Sequence, residues 1–355
     1  MARTAAFHPE KPLKATGTTL DSERFWAENP QVIKRFINQQ PDYEKLCAEV
    51  AYILNRELNK GEIEFSTITY RAKTLNSFLE KIQRKTYQDP ISEITDFAGV
   101  RVVCLYVDDL HKLEEIVAGH FEIVKKIDKL TNKKSDQFGY GAIHFLVRLG
   151  KNFSGARYDD LKDLVCEIQT RTVLQDAWAI IDHHLVYKNE SSIPTILRSR
   201  LNSLAHNFER VDDEFKNIRS EREDYLSDIE RSKINSEAFL ENELNLDSFV
   251  RYAQWKFPDL PTGTTVLDVP FFLKPLTDMN LGSLSKLDAI VDKGSSAYAS
   301  YVAANGHDFL TSYSITSVAL SALLINKEYT PEHIKSVFPK YSEFIAANTF
   351  EDEVR

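Results

Sequence analysis

The chain has 355 residues, with 44 Lys plus Arg against 53 Asp plus Glu, a formal net charge of −9. Hydrophobic residues make up 43% and charged residues 27%, a globular balance that excludes a largely disordered chain or a fibrous repeat and predicts two or three domains. The acidic balance argues against a nucleic-acid coat but leaves room for a local cationic pocket. No apolar run reaches the roughly 18 residues of a membrane span, and the first twenty residues lack an apolar signal segment. Cys47, Cys104 and Cys166 are far apart in apolar settings and form no C-x-x-C pair. They read as buried thiols of a reducing compartment, which predicts a cytoplasmic protein without disulfides or a zinc site.

In chain order, residues 1–19 read as a loose polar tail. Helical spacing predicts helices over Ser22–Gln39 and Tyr43–Leu58, with Pro41 where the second should begin. Strands are expected at Phe65–Tyr70, Val100–Val107, Phe121–Lys129, Gly141–Leu149 and Leu164–Gln169, and helices at Thr74–Lys85 and Thr172–Val186. Thr172 and Gln175 have capping-box spacing. Leu197, Leu201, Leu204, Phe208, Val211, Phe215 and Ile218 then form an a/d stripe, resumed by Tyr225 and Ile229, which predicts one long helical arm. From Asn242 the chain becomes aromatic, poorer in charge and broken by Pro258, Pro261, Pro270 and Pro275, with helices expected at Ile315–Leu324 and His333–Asn348. This divides the chain into 1–194, an arm over 195–241, and a mostly helical module over 242–355.

Four stretches carry chemistry. At about 100° per residue, Lys73, Ser77 and Lys81 share one helical face, opposite Leu75, Phe78, Leu79 and Ile82, with Arg71 just upstream. Such clustered cations suit a polyphosphate, or form an ordinary solvated face. In Asp96-Phe-Ala-Gly99-Val-Arg101, a carboxylate precedes an apolar strand that contains an arginine. Two readings stand: a metal-holding Asp96 beside an Arg101 that grips base or phosphate, or a structural Asp96–Arg101 pair. A lysine-rich stretch, Lys125 to Lys134, leads into Gly139-Tyr140-Gly141, where Tyr140 offers a stacking face. In Glu167-Ile-Gln169-Thr-Arg171-Thr172, alternation puts Glu167 and Gln169 on the face opposite Cys166 and Ile168. Trp178 reads as core, and His183 and His184 as structural.

The order of these motifs resembles the synthetase domain of the RelA/SpoT homologue family, the (p)ppGpp (alarmone) synthetases of the stringent response. The motifs are Arg71-x-Lys73-x-x-x-Ser77-x-x-x-Lys81, Asp96-x-x-Gly99-x-Arg101, Gly139-Tyr140-x-x-x-His144 and Glu167-x-Gln169-x-Arg171-Thr172 with Trp178-Ala-x-x-x-His183. The resemblance runs from about Phe65 to Lys188. It implies an α+β fold, with a mixed nucleotidyltransferase-like sheet flanked by helices, followed by the long helix and the helical C-terminal domain. It implies transfer of the β,γ-pyrophosphate of ATP to the 3′-hydroxyl of GDP or GTP with Mg²⁺. By position, Arg71 and Arg101 would sandwich the adenine, and Lys73, Ser77 and Lys81 would hold the ATP phosphates. Asp96 and Glu167 would bind the metal, with Glu167 also helping to deprotonate the attacking hydroxyl. Tyr140, His144, Gln169 and lysines including Lys133 and Lys134 would hold the acceptor.

Three departures qualify the resemblance. Gly141 stands where the family usually has a large residue after the tyrosine. The stretch before Phe65 is too short for a hydrolase domain. The C-terminal module is not an obvious sensing region. The alternative is therefore a toxic synthetase of the toxin–antitoxin type, acting on adenine nucleotides or the tRNA 3′ end. There, residues 242–355 would serve as an antitoxin-like control element answering a protein trigger. Phe249, Tyr252, Trp255, Phe257, Tyr298, Tyr301 and Tyr313 would then cover the nucleotide site. Assembly of a homo-oligomer, or plain packing, is the simpler role for that module. A third reading is an inactive nucleotide sensor, which the presence of both Asp96 and Glu167 argues against.

Overall fold

A computed structural model describes residues 6–9, 29–61, 63–128, 141–186, 194–262, 269–306, 313–337 and 339–348. The chain forms two compact units, residues 3–218 and 219–355, with the division inside a single long helix. Among the described residues no helix is long and apolar enough to cross a membrane.

The first unit is built on a mixed six-stranded sheet in the order β1-β2-β3-β6-β5-β4. The strands are β1 (Ala6–Pro9), β2 (Phe65–Ala72), β3 (Ala98–Cys104), β4 (Phe121–Asp128), β5 (Ile143–Leu149) and β6 (Cys166–Thr172). β3 and β6 run parallel, as do β1 and β2, and the other neighbours are antiparallel. Strict alternation divides the two faces. Ile68, Val100, Val102, Ile143, Phe145, Val147, Cys166 and Ile168 point to one side. There they form a core with Leu46, Val50 and Leu54 of helix α1 (Pro30–Leu58) and Leu110, Leu113 and Val117 of α4 (Asp109–His120). The three cysteines are buried, as expected.

Two expectations for the N-terminal region are corrected. One helix, α1, replaces the two expected and runs through Pro41. Proline removes one backbone donor, but buried residues on both sides of it (Ile33 and Phe36 before, Leu46 to Leu58 after) hold the helix continuous. Residues 6–9, expected to be part of a loose tail, form β1 along β2. The free edge of β2 supplies the row of backbone donors and acceptors that this short strand needs.

Helix α2 (Leu75–Arg84) is capped by Thr74, whose hydroxyl accepts from the Ser77 amide. Its apolar face joins Phe36, Phe78 and Phe97 with Ile91 and Ile94, the last three reached through the short α3 (Pro90–Glu93) and the approach to β3. Phe36 and Phe78 stack with ring centroids 4.5 Å apart, and Phe97 packs 5.7 Å from Phe78. Beyond β6, α5 (Val173–Val186) begins with the expected capping box: Gln175 N donates to Thr172 Oγ1 and Thr172 N to Gln175 Oε1. Trp178 is core, packed with Ala205, Leu201 and Phe208 of helix α6 (Thr195–Ser232).

The 38 residues of α6 span about 57 Å at 1.5 Å each. Its stripe splits into two rows. Leu201 and Phe208 pack beneath Trp178, whereas Leu197, Leu204, Val211, Phe215 and Ile218 are exposed.

In the second unit, Tyr225 and Ile229 at the end of α6 join a core made by α7 (Ser236–Leu240), α8 (Leu246–Lys256), α9 (Val269–Asp278), α10 (Leu284–Asn305), α11 (Ser314–Ile325), α12 (Glu332–Val337) and α13 (Pro339–Ala347). Helix α11 is buried over nearly its whole length. A Cβ on Gly294 of α10 would lie 1.7 Å from the Ser321 carbonyl oxygen, so the glycine is what lets these two helices touch. Phe249, Tyr252, Tyr298 and Tyr301 are buried in this core, and Trp255 and Phe257 pack against it. Trp255, Phe257 and Tyr313 are half-buried, while the other four of the seven aromatic residues are thus committed to this core. Burying their rings inside the unit satisfies them locally.

Candidate active site

The sheet face opposite α1 carries the polar residues, and strand register sorts them into rows. Arg71, Gly99, Glu167 and Leu146 lie in line across β2, β3, β6 and β5. Thr69, Arg101, Gln169 and His144 form the next row, and Thr67, Val103 and Arg171 the one beyond. Gly99 leaves a side-chain-free position between Arg71 and Glu167. A Cβ there would meet nothing closer than the Arg71 carbonyl at 3.8 Å, so the backbone itself does not require glycine.

Asp96 lies two residues before β3, and α2 reaches over it. Lys73 Nζ lies 2.9 Å from Asp96 Oδ2 and Lys81 Nζ 2.8 Å from Oδ1. Burial alone would raise the Asp96 pKa, but Lys73 and Lys81 together hold it below the usual carboxylate value. The aromatic cluster beneath α2 aims this helix: Phe78 follows Ser77, and Phe97 follows Asp96. The Lys73 amide also donates to the Phe97 carbonyl at 2.8 Å. Ser77 sits in the first turn of α2, where its hydroxyl accepts from Thr74 Oγ1 at 3.0 Å. Unpaired amides and the helix dipole favour an anion at such a position.

Glu167 is gripped on both oxygens. His144 Nδ1 lies 2.8 Å from Oε1, and Gln169 Nε2 donates to Oε2 at 3.1 Å. Burial pushes the Glu167 pKa up, and these two partners outweigh it, so the net shift is downward. Asp96 opposes them through space, so the two carboxylates feel each other's charge.

The structure thus gathers Arg71, Lys73, Ser77, Lys81, Asp96, Arg101, His144, Glu167 and Gln169 on one face of the sheet and the helix end beside it. Lys133, Lys134 and Tyr140 lie outside the described residues. Lys126, from the same basic stretch, is committed to Glu114 at 2.7 Å. Asp96 and Arg101 are held by different partners: lysines hold Asp96, and Asp176 holds Arg101 at 3.4 Å. In the sequence, Arg171 is named within its motif without a role, and Asp176 is not singled out. Arg171 and Asp176 pair at 3.4 Å, and Arg171 Nη2 also reaches Gln169 Oε1 at 3.5 Å. The alternation Glu167, Gln169, Arg171 places Arg171 on the site face, whereas Asp176, on the following helix, carries no such signal.

No cluster of three or more His, Cys, Asp or Glu side chains that could hold a metal occurs among the described residues. The donor set is two ionised carboxylates. That suits a hard cation such as Mg²⁺, which takes one or two carboxylates and completes its shell with phosphate oxygens and water.

Residues 70–192, wholly within the first unit, match the family model described as "Region found in RelA / SpoT proteins". The chain is 33% identical over 187 residues to the GTP pyrophosphokinase YjbM of Bacillus subtilis (strain 168), covering 51% of this chain and 83% of the relative. It is 29% identical over 177 residues to the GTP pyrophosphokinase YwaC of the same organism, covering 48% and 81%. The crystal structure of the small alarmone synthetase 1 from Bacillus subtilis is 28% identical and spans 57% of this chain and 98% of that one, at a TM-score of 0.41. A match of this identity across most of a relative's length, with the family region running through every strand that carries the site, means that the chain belongs to the RelA/SpoT family of pyrophosphotransferase enzymes.

Proposed function

We propose that the protein transfers the β,γ-pyrophosphate of ATP to the 3′-hydroxyl of a guanine nucleotide, GDP or GTP, to make (p)ppGpp. The observation that carries this reading is the pairing of two electrostatically coupled carboxylates, Asp96 and Glu167, with the Lys73–Lys81 cation pair beside them. Pyrophosphoryl transfer needs positioning and charge neutralisation more than covalent chemistry.

In this reading the acceptor's 3′-oxygen attacks the β-phosphorus of ATP. The bond from that phosphorus to the α,β-bridging oxygen breaks, and AMP leaves. Glu167, held ionised by His144 and Gln169, receives the hydroxyl proton. Lys73, Lys81 and the first turn of α2 around Ser77 take the donor phosphates. Arg71 and Arg101 take the adenine on their guanidinium faces, Gln169 and His144 border the acceptor, and Lys133, Lys134 and Tyr140 complete its site. Asp96 and Glu167 are the residues to hold Mg²⁺, which when bound would offset the negative charge of the transferring group.

A second reading, with an adenine nucleotide or the tRNA 3′ end as acceptor, is favoured by Gly141. This small residue, buried in the structure, follows Tyr140 where the family usually has a large one. Purified protein incubated with γ-labelled ATP and each of GDP, GTP, AMP, ADP, ATP and bulk tRNA separates the two. Label on GDP or GTP supports the first reading, and label on AMP, ADP, ATP or tRNA alone replaces it with the second. No transfer to any acceptor refutes both.

A further inference from the structure

Arg101 and Arg171 both direct Nη1 at one atom, Asp176 Oδ1, each at 3.4 Å. The three side chains are mostly withdrawn from solvent, so the two guanidiniums cannot rely on water to screen their mutual repulsion. Arg171 extends the arrangement toward the reacting centre. Its Nη2 donates to Gln169 Oε1, and Gln169 Nε2 donates to Glu167 Oε2. Asp176 itself is rigidly placed. It stands in the first turn of α5, whose start is locked to the end of β6 by the Thr172–Gln175 capping box, one residue after Arg171. A carboxylate in a first helical turn is also favoured by the helix dipole.

We infer that Asp176 is a positioning residue for the nucleotide site. Its carboxylate holds Arg101 and Arg171 side by side on the site face, presenting Arg101 to the donor nucleoside and letting Arg171 brace the Gln169 amide against Glu167. The inference rests on the donor assignment made under the proposed function. It predicts that charge, not bulk, is what position 176 supplies. With Asp176→Asn the two cations lose their common counter-charge and part, and Arg101 leaves its place. Removing the second cation as well relieves the repulsion and restores Arg101.

The test is calorimetric titration of the full-length protein with the non-hydrolysable donor analogue AMPCPP, paired with steady-state kinetics. Asp176→Asn is expected to weaken AMPCPP binding roughly tenfold and to raise KM for ATP in proportion, with a smaller change in kcat. Arg171→Gln alone is expected to leave AMPCPP affinity within about twofold and to lower kcat roughly tenfold, because it loses only the brace on Gln169. Arg171→Gln combined with Asp176→Asn is expected to recover most of the lost affinity. Unchanged affinity in Asp176→Asn overturns the inference alone, as does a double variant that binds no better than Asp176→Asn. Should Asp176→Asn fail to fold, Arg171→Gln still decides: a tenfold loss of AMPCPP affinity there refutes the division of roles. A wild-type protein that does not bind AMPCPP overturns the functional reading itself, and the inference with it.

Discussion

His144 on β5 and Glu167 on β6 meet across the sheet, with His144 Nδ1 2.8 Å from Glu167 Oε1. The contact follows from register, because His144 stands opposite Gln169 and next to Leu146, the partner of Glu167. Together with the Gln169 amide it keeps a largely buried carboxylate ionised below its ordinary range. A lowered folded-state pKa contributes stability that is present above the unfolded value, near 4.5, and is lost as pH falls through the lowered folded value. Glu167→Gln is therefore expected to abolish transfer, by at least about 100-fold, and to flatten the acid limb of the stability curve below pH ~4.5. Transfer assays and thermal melts across pH check both. Wild-type turnover in this variant would remove Glu167 from the chemistry.

Asp96 is the counter-ion of Lys73 and Lys81, and in Asp96→Asn those two lysines face each other without it. The expected result is loss of transfer together with AMPCPP binding in EDTA that is equal to wild type or tighter, since the freed lysines turn to the phosphates. Titration in EDTA measures this directly. Weaker metal-free binding would mean that the lysines are not phosphate ligands.

Gly99 separates Arg71 from Glu167 in the same row of the sheet, and its missing side chain is not needed by the backbone. Gly99→Val is expected to retain the folded far-ultraviolet circular dichroism, because valine suits a strand. Transfer should fall by roughly 100-fold through obstruction of the space between Arg71 and Glu167. An unfolded variant would place the role of Gly99 in the backbone, and an active one would mean that nothing passes between those residues.

Phe78 sits between Phe36 and Phe97 with no exposed surface, and these rings hold α2 over Asp96. Phe78→Leu leaves part of that volume filled, and Phe78→Ala empties it. The alanine variant is expected to cost about 3–5 kcal/mol, measured by urea unfolding of the transition that reports the first unit. The leucine variant should cost less and show a raised KM for ATP, because a tilt of α2 moves Lys81.

Asp212 of α6 accepts a 2.7 Å hydrogen bond from Thr172 Oγ1, the residue that caps α5. Burial, helped by neighbouring Asp213, pushes its pKa up from 3.8 to about 7. Here the sign is opposite to that of Glu167: the native state keeps the proton longer than the unfolded chain, so stability falls as pH rises from about 4 to about 7 and is lowest above that. Asp212→Asn keeps an acceptor for Thr172 without the charge. It is expected to raise stability at pH 8 by on the order of 1–3 kcal/mol and to change it little at pH 4. Melting curves at the two pH values decide this, and equal effects at both would mean that the carboxyl is not the source.

Local pattern made much of the site readable. The helical spacing of Ser77 and Lys81, the strand alternation of Glu167 and Gln169 and the unbroken helix of α6 each depend on residues within one element, where the period settles which side chains share a face. The Thr172–Gln175 capping box needs only three residues of separation. Lys73, expected on the same helical face, instead stands just before the Thr74 cap. What the sequence by itself determined is therefore the element types, the faces and the order of motifs that marks the family. The tertiary structure decided who partners whom. Pairs such as Lys73–Asp96, His144–Glu167, Arg101–Asp176 and Thr172–Asp212 lie 23, 23, 75 and 40 residues apart, and only strand register and helix docking bring them together. The same reason explains the misreadings. Pro41 reads locally as a helix start, yet packing on both sides carries α1 through it. In the second unit, spacing alone left Phe249, Tyr252, Tyr298 and Tyr301 open between nucleotide cover and packing, and the helices around them take their apolar area from water inside that unit's own core.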